Sequence, residues 1–235
     1  MINEAEMKNL GRDLVILTTL TIFSTFLVWL PFILGLGQGM LTVFSNYDGP
    51  NYIVIAKTLY KPEIIRSSFS LPTPLEYYPA HFPGYPLLIQ ALNLLIPGPW
   101  AMLIATLSTT IAAVIAFYFF VRKFNFTSAP LWLAIIFLFL PARWLVVRSV
   151  GSPEPLFIAA LLTSFYFFKS VFGEPLFVKK KNIFLDFWLA GLLGALAMIT
   201  KTPAILLFLA YGVWLMVRMF KTRQVLWKAF PLLLI

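Results

Sequence analysis

Tyr85-Pro86-Leu87-Leu88-Ile89-Gln90-Ala91-Leu92-Asn93-Leu94-Leu95-Ile96 is the stretch on which the arrangement of the whole chain turns. Leu87, Leu88, Ala91, Leu92 and Leu95 recur with a helical period, and Gln90 and Asn93 fall on the other side. At 1.5 Å per residue the stretch reaches only about 18 Å, short of the roughly 30 Å of bilayer hydrocarbon. An amphipathic period in so short a segment predicts a helix lying in an interface, not one crossing it. Pro97-Gly98-Pro99 then breaks it from the next apolar run.

On either side the chain is mostly apolar. Of its 235 residues 60% are hydrophobic and only 11% are charged, the composition of a multi-spanning membrane protein. Spans are expected at residues 14–36, 100–121, 129–147, 155–172, 183–200 and 204–217, with a seventh apolar run beginning at 225–235. That last run reaches about half the hydrocarbon thickness, so the chain is expected to be the amino-terminal part of a longer protein. The first run is too long for a signal-peptide core, and no small-x-small cleavage site follows it. There are no cysteines, hence no disulfide and no thiolate metal site.

The net charge of +9 does not point to nucleic acid, because the basic residues sit in short clusters between apolar runs. With 85–96 on the surface, 12 of the 18 basic residues share the side of the amino terminus: Lys8, Arg12, Arg122, Lys123, Lys169, Lys179, Lys180, Lys181, Arg218, Lys221, Arg223 and Lys228. Were 85–96 a span, only 5 would lie on that side. The excess of Lys and Arg in cytoplasmic loops selects the first arrangement. The amino terminus is therefore expected in the cytoplasm, with residues 37–99 as one large external loop carrying surface helices. The expected fold is an all-α polytopic bundle.

That external side holds the candidate chemistry. Ionisable groups beside a bilayer are costly and mark functional sites by default. Arg143, Arg148 and Lys201 stand at span ends on the side the charge bias disfavours, which suits an anionic lipid phosphate. Snorkelling to headgroups accounts equally for the two arginines, and a helix hairpin for Lys201. Asp48, in Tyr47-Asp48-Gly49-Pro50, reads as a base or as the N-cap of a helix running through Tyr60. Glu154 after Ser152-Pro153 reads as a helix start or as a site carboxylate. His81 is the single histidine, and it reads as interfacial or as a ligand of substrate. Tyr77, Tyr78, Phe82 and Tyr85 are an aromatic belt or the floor of a sugar site, and Tyr52, one turn after Asp48, is expected on the same face as an aromatic wall for the acceptor. No phosphate loop, H-E-x-x-H, G-x-S-x-G or dinucleotide fingerprint is present, and no metal or cofactor is expected. An acid opposed by cations fits transfer from a lipid-phosphate donor: the acid activates an acceptor hydroxyl and the cations stabilise the departing phosphate.

Tyr47-Asp48 followed by Tyr52, Ile55-Ala56 and Tyr60 resembles the W-D-x-x-x-[FY]-x-x-I-A-x-x-x-Y stretch of the PIG-V-like mannosyltransferases. Ala80-His81-Phe82-Pro83-Gly84-Tyr85-Pro86-Leu87 is similar to their F-F-P-G-[FY]-P-L element, and residues 152–157 to their S-E-x-L-F segment. Tyr47 stands where those proteins carry tryptophan, and Glu154 lies between two prolines. The order of first span, large external loop and paired spans resembles the GT-C glycosyltransferase fold. The resemblance implies a polyprenyl- or dolichyl-phosphate sugar donor, mannose above all, and a glycan, lipid or protein acceptor on the external or lumenal face. It implies an essential acid at Asp48, and a plasma membrane location in a prokaryote or an endoplasmic reticulum one in a eukaryote. The alternatives are a transporter or lipid flippase, which would place charge near the bilayer midplane among broken helices, and a noncatalytic membrane subunit.

Overall fold

The computed structural model describes residues 4–70, 72–171 and 183–222, together with Ala229 and Leu232. Among these residues the regular structure is entirely helical. Helix α1 (Glu4–Ile33) is followed by four short helices, α2 (Met40–Phe44), α3 (Gly49–Thr58), α4 (Pro62–Ser68) and α5 (Gly84–Leu92), with a 3-10 turn at Leu75–Ala80. Then come α6 (Pro99–Lys123), α7 (Pro130–Phe139), α8 (Ala142–Val147), α9 (Glu154–Ser170), α10 (Ile183–Met198) and α11 (Ile205–Thr222). Lys8–Ile33, Pro99–Lys123 and Thr202–Lys221 are long and apolar enough to cross a membrane. The lysine cluster at 179–181 and most of the seventh run at 225–235 lie outside the described residues.

Side-chain contacts give the helix directions. Trp29 of α1 meets Trp100 at the start of α6, with ring centres 6.2 Å apart, and Tyr118 near the end of α6 donates to Asp13 near the start of α1 at 2.8 Å. The two helices are antiparallel. Ser152, just before α9, lies beside Thr106 of α6, while Lys123 at the far end of α6 donates to Ser170 of α9. So α6 and α9 run side by side in one direction. Helix α10 returns along α9, through Ser164 on the Ala190 carbonyl, and α11 packs Tyr211 against Phe168, centres 3.9 Å apart. One end of the bundle therefore collects Ile33, Pro99, Glu154 and Lys201, and the segment 37–99 covers it.

The stretch 129–147, expected as one span, is two helices. Pro141 has no N–H to continue α7, and Leu140 before it is extended (φ −124°, ψ 142°), as a following proline requires. The break turns the chain inward and carries Arg148 into the bundle, where the guanidinium is fully buried. It donates to the Leu138 carbonyl at 3.1 Å, to Thr25 Oγ1 at 2.7 Å and to Ser24 Oγ at 2.9 Å. The Leu138 carbonyl belongs to the last turn of α7, which has no onward helical partner, so the cation completes that terminus. Ser24 and Thr25 lie eight to nine residues before Ile33, about 12–14 Å along α1. Arg148 is at mid-depth, not at the rim where its sequence position suggested.

Helix α5, expected over 85–96, spans Gly84–Leu92. Tyr85 and Ile89 are its fully buried side chains, while Leu87, Leu94 and Leu95 of the expected apolar stripe and its continuation are exposed. Its first residue is pinned: the Gly84 N–H donates to the Ile199 carbonyl at 2.7 Å. A Cβ on Gly84 would meet that oxygen at 2.9 Å and Thr200 Oγ1 at 2.5 Å, so only glycine permits the approach.

Candidate functional site

A cleft of about 130 Å³ opens at the covered end, lined by Asp48, Tyr52, Arg143, Ser152 and Glu154, with Tyr47 at its edge. It forms where two glycine backbones nearly touch. A Cβ on Gly151 would lie 3.0 Å from Gly49 Cα, and one on Gly49 would lie 2.9 Å from the Phe44 carbonyl. These contacts bring the residues next to the two glycines, Asp48 and Ser152, into one cleft. Tyr47 holds a left-handed φ of 50°, which a bulky residue adopts only under constraint.

Asp48 sits at the N-cap position of α3, yet its side chain makes no capping hydrogen bond. Its carboxylate, nearly half exposed, instead accepts from Tyr77 Oη at 3.3 Å and stands 3.7 Å from His81 Nε2. His81 is buried and edged by the rings of Tyr52 and Tyr77, at 5.0 and 4.7 Å between centres. Its Nδ1 is 3.1 Å from the Tyr77 carbonyl, which can only accept, so this contact assigns a proton to Nδ1. Nε2 is then the nitrogen that faces Asp48. At 3.7 Å the imidazole and the carboxylate are neighbours without a direct hydrogen bond. Burial first, and then the charges of Glu154 and Asp48, raise the Tyr52 phenol well above its ordinary range. Tyr52 therefore stays a neutral hydroxyl in the cleft.

Glu154 opens α9 and is held from two sides. Lys201 Nζ, beyond the end of α10, is 2.5 Å from Oε1, and the Ser152 hydroxyl donates to Oε2. Lys201 reaches the cleft only through this pair. Arg143, in the first turn of α8, is exposed at the cleft and has no carboxylate partner among the described residues.

The structure thus gathers Asp48, Tyr52, His81, Arg143, Glu154 and, at one remove, Lys201. Three expected site residues lie elsewhere. Arg148 is sealed between α1 and α7. Tyr78 is buried in a small cluster with Val54, Ile55 and Ile65. Tyr85 is a strut: its hydroxyl pairs with Thr106 at 2.6 Å and the Met102 carbonyl at 3.0 Å, and accepts the Ser152 N–H at 3.2 Å. Ser152 was not singled out beforehand, and Tyr77 was named only with the aromatic belt or sugar floor, not as a partner of Asp48. The signal for Ser152 was its place two residues before Glu154. Nothing foretold the contact of Tyr77 with Asp48, because its hydroxyl meets an acid 29 residues away. Among the described residues no group of three or more His, Asp or Glu side chains could hold a metal ion. No family model, curated protein or solved structure matches this chain, so the resemblance rests on the quoted motifs alone.

Proposed function

We propose that the protein is a membrane glycosyltransferase that moves a sugar from a polyprenyl- or dolichyl-phosphate donor to an acceptor hydroxyl, with Asp48 as base. The resemblance makes mannose the sugar and mannosyltransferase the class. The supporting observation is the Asp48 carboxylate, which leaves its helix uncapped and opens instead into a cleft with Tyr52, Arg143 and Glu154. In the proposed step Asp48 takes the acceptor proton as the acceptor oxygen bonds to the sugar's anomeric carbon. The bond from that carbon to the phosphate oxygen breaks, and Arg143 meets the departing phosphate charge. Asp48, nearly half exposed, then gives the proton up to water. Glu154, fixed by Lys201 and Ser152, orients sugar hydroxyls, and Arg148 leaves the set of phosphate ligands. The basic-residue distribution puts the amino terminus in the cytoplasm and the cleft on the external or lumenal face.

Asp48→Asn tests this in the full-length protein. Asparagine is an equally good N-cap residue but a very poor base. The variant is expected to insert and bind donor normally while transfer falls about 10²–10⁴-fold. Near wild-type transfer by a correctly inserted variant would overturn the assignment. A transporter or flippase without transferase activity is the second reading, favoured by Arg148 at mid-depth beside the α7–α8 break, a charge among discontinuous helices. In sealed vesicles it predicts movement of lipid-linked sugar without chemical change, insensitive to Asp48→Asn.

A further inference from the structure

At the end of the bundle away from the cleft, α6 and α9 leave an apolar groove of about 380 Å³ between them. Ala112 and Ala116 of α6 and Thr163 of α9 are its small lining residues, and Phe119, Tyr166 and Phe167 its large ones. Thr163 spends its hydroxyl on the Ala159 carbonyl at 2.7 Å, so it adds no unpaired polar group. The volume lies in the range of sites that enclose a small ligand. Because Pro99–Lys123 is long and apolar enough to cross a membrane, the molecules around this groove are lipid chains.

Its depth selects which part of a lipid fits. The α6 residues at its wall precede Lys123 by four to eleven positions, about 6–17 Å along the helix axis. Half the hydrocarbon thickness is roughly 15 Å, so a headgroup level with Lys123 would lay its acyl chain along the groove. Arg122, Lys123 and Lys169 end the two helices at that level. Lys123 Nζ lies 5.2 Å from the centre of the Tyr166 ring, which also walls the groove. The acids at this end whose side chains are described are Asp13, already bound by Arg12 and Tyr118, and Asp186 near Tyr166.

We infer that the groove holds one acyl chain of an anionic glycerophospholipid, with its phosphate at the Arg122–Lys123–Lys169 end. The site is separate from the cleft and does not depend on its chemistry. The probe is dioleoyl phosphatidylglycerol against dioleoyl phosphatidylcholine, titrated into the delipidated full-length protein and counted by native mass spectrometry. The anionic lipid should bind about tenfold more tightly. Filling the groove by Ala116→Leu should reduce binding of both lipids, and Thr163→Leu should do so from the facing helix if the first variant does not fold. The pair Lys123→Gln and Lys169→Gln should abolish the preference and leave phosphatidylcholine binding unchanged. Equal binding of both lipids by the wild type, or groove-filling variants that bind both as the wild type does, overturns the site. So does a wild-type dimer that Ala116→Leu disperses, because a helix would then be the occupant.

Discussion

Two arginines five positions apart in the sequence have opposite fates, and depth separates them. Arg143 is exposed at the cleft, whereas Arg148 is fully buried among neutral acceptors. Removing a buried donor orphans its acceptors, here the Leu138 carbonyl and two hydroxyls, at about 1–3 kcal/mol. Arg148→Ala should therefore lower thermal stability in detergent by a cost of that order. Arg148→Lys should recover little of it, because an ammonium cannot reproduce the fork that spans α1 and α7. Arg143→Ala should leave stability unchanged and weaken donor binding. Equal melting losses for the two alanine variants would contradict this division of roles.

Elements matter here for where they stop. Pro141 ends α7 after ten residues, and everything from α8 to the start of α9 is aimed by that break. At the opposite side of the cleft the start of α5 is set by its contact with the end of α10. Gly84→Ala would drive a methyl into backbone at 2.9 Å, overpacking worth about 1–3 kcal/mol. Gly11→Ala, in α1 with nothing within 4 Å of the added carbon, serves as its contrast. It should stabilise slightly, by up to about 1 kcal/mol, since alanine is the better helix former. Thermal unfolding of the two variants side by side measures the difference. Comparable melting temperatures would mean that the α5–α10 contact does not constrain the fold.

Across the whole molecule the proposed topology places Ser70 and Ser128 on opposite sides of the membrane. Both are exposed and the chain has no cysteine, so Ser70→Cys and Ser128→Cys give clean labelling sites. An impermeant maleimide added outside should label the first and not the second. The converse would invert the topology and move the cleft to the other face. Most helices were legible in advance, since apolar runs at 100–121, 155–172 and 183–200 match Pro99–Lys123, Glu154–Ser170 and Ile183–Met198 closely. Hydrophobicity marks such segments without knowledge of their neighbours. The break at Pro141 was visible as a residue but not as an outcome, because a proline within an apolar run can kink a helix or end it. The depth of Arg148 followed from that choice. Within the site Asp48 was legible through its neighbours, while the approach of Tyr77 and the pairing of Glu154 with Lys201 depend on packing between distant segments.

The hydrogen bond from Gly84 to Ile199 also has a consequence in time. The acceptor is synthesised 115 residues after the donor. At roughly 5–20 residues per second, a ribosome needs about 6–23 s to cover that distance. For that interval the start of α5 waits without its anchor, and Glu154 waits about 2–9 s for Lys201, 47 residues later. Nascent chains stalled before α10 should therefore lose the segment 37–99 to added protease, and chains stalled after α11 should keep it. Assembly of the cleft is a late event in the life of this chain, although its first carboxylate is made early.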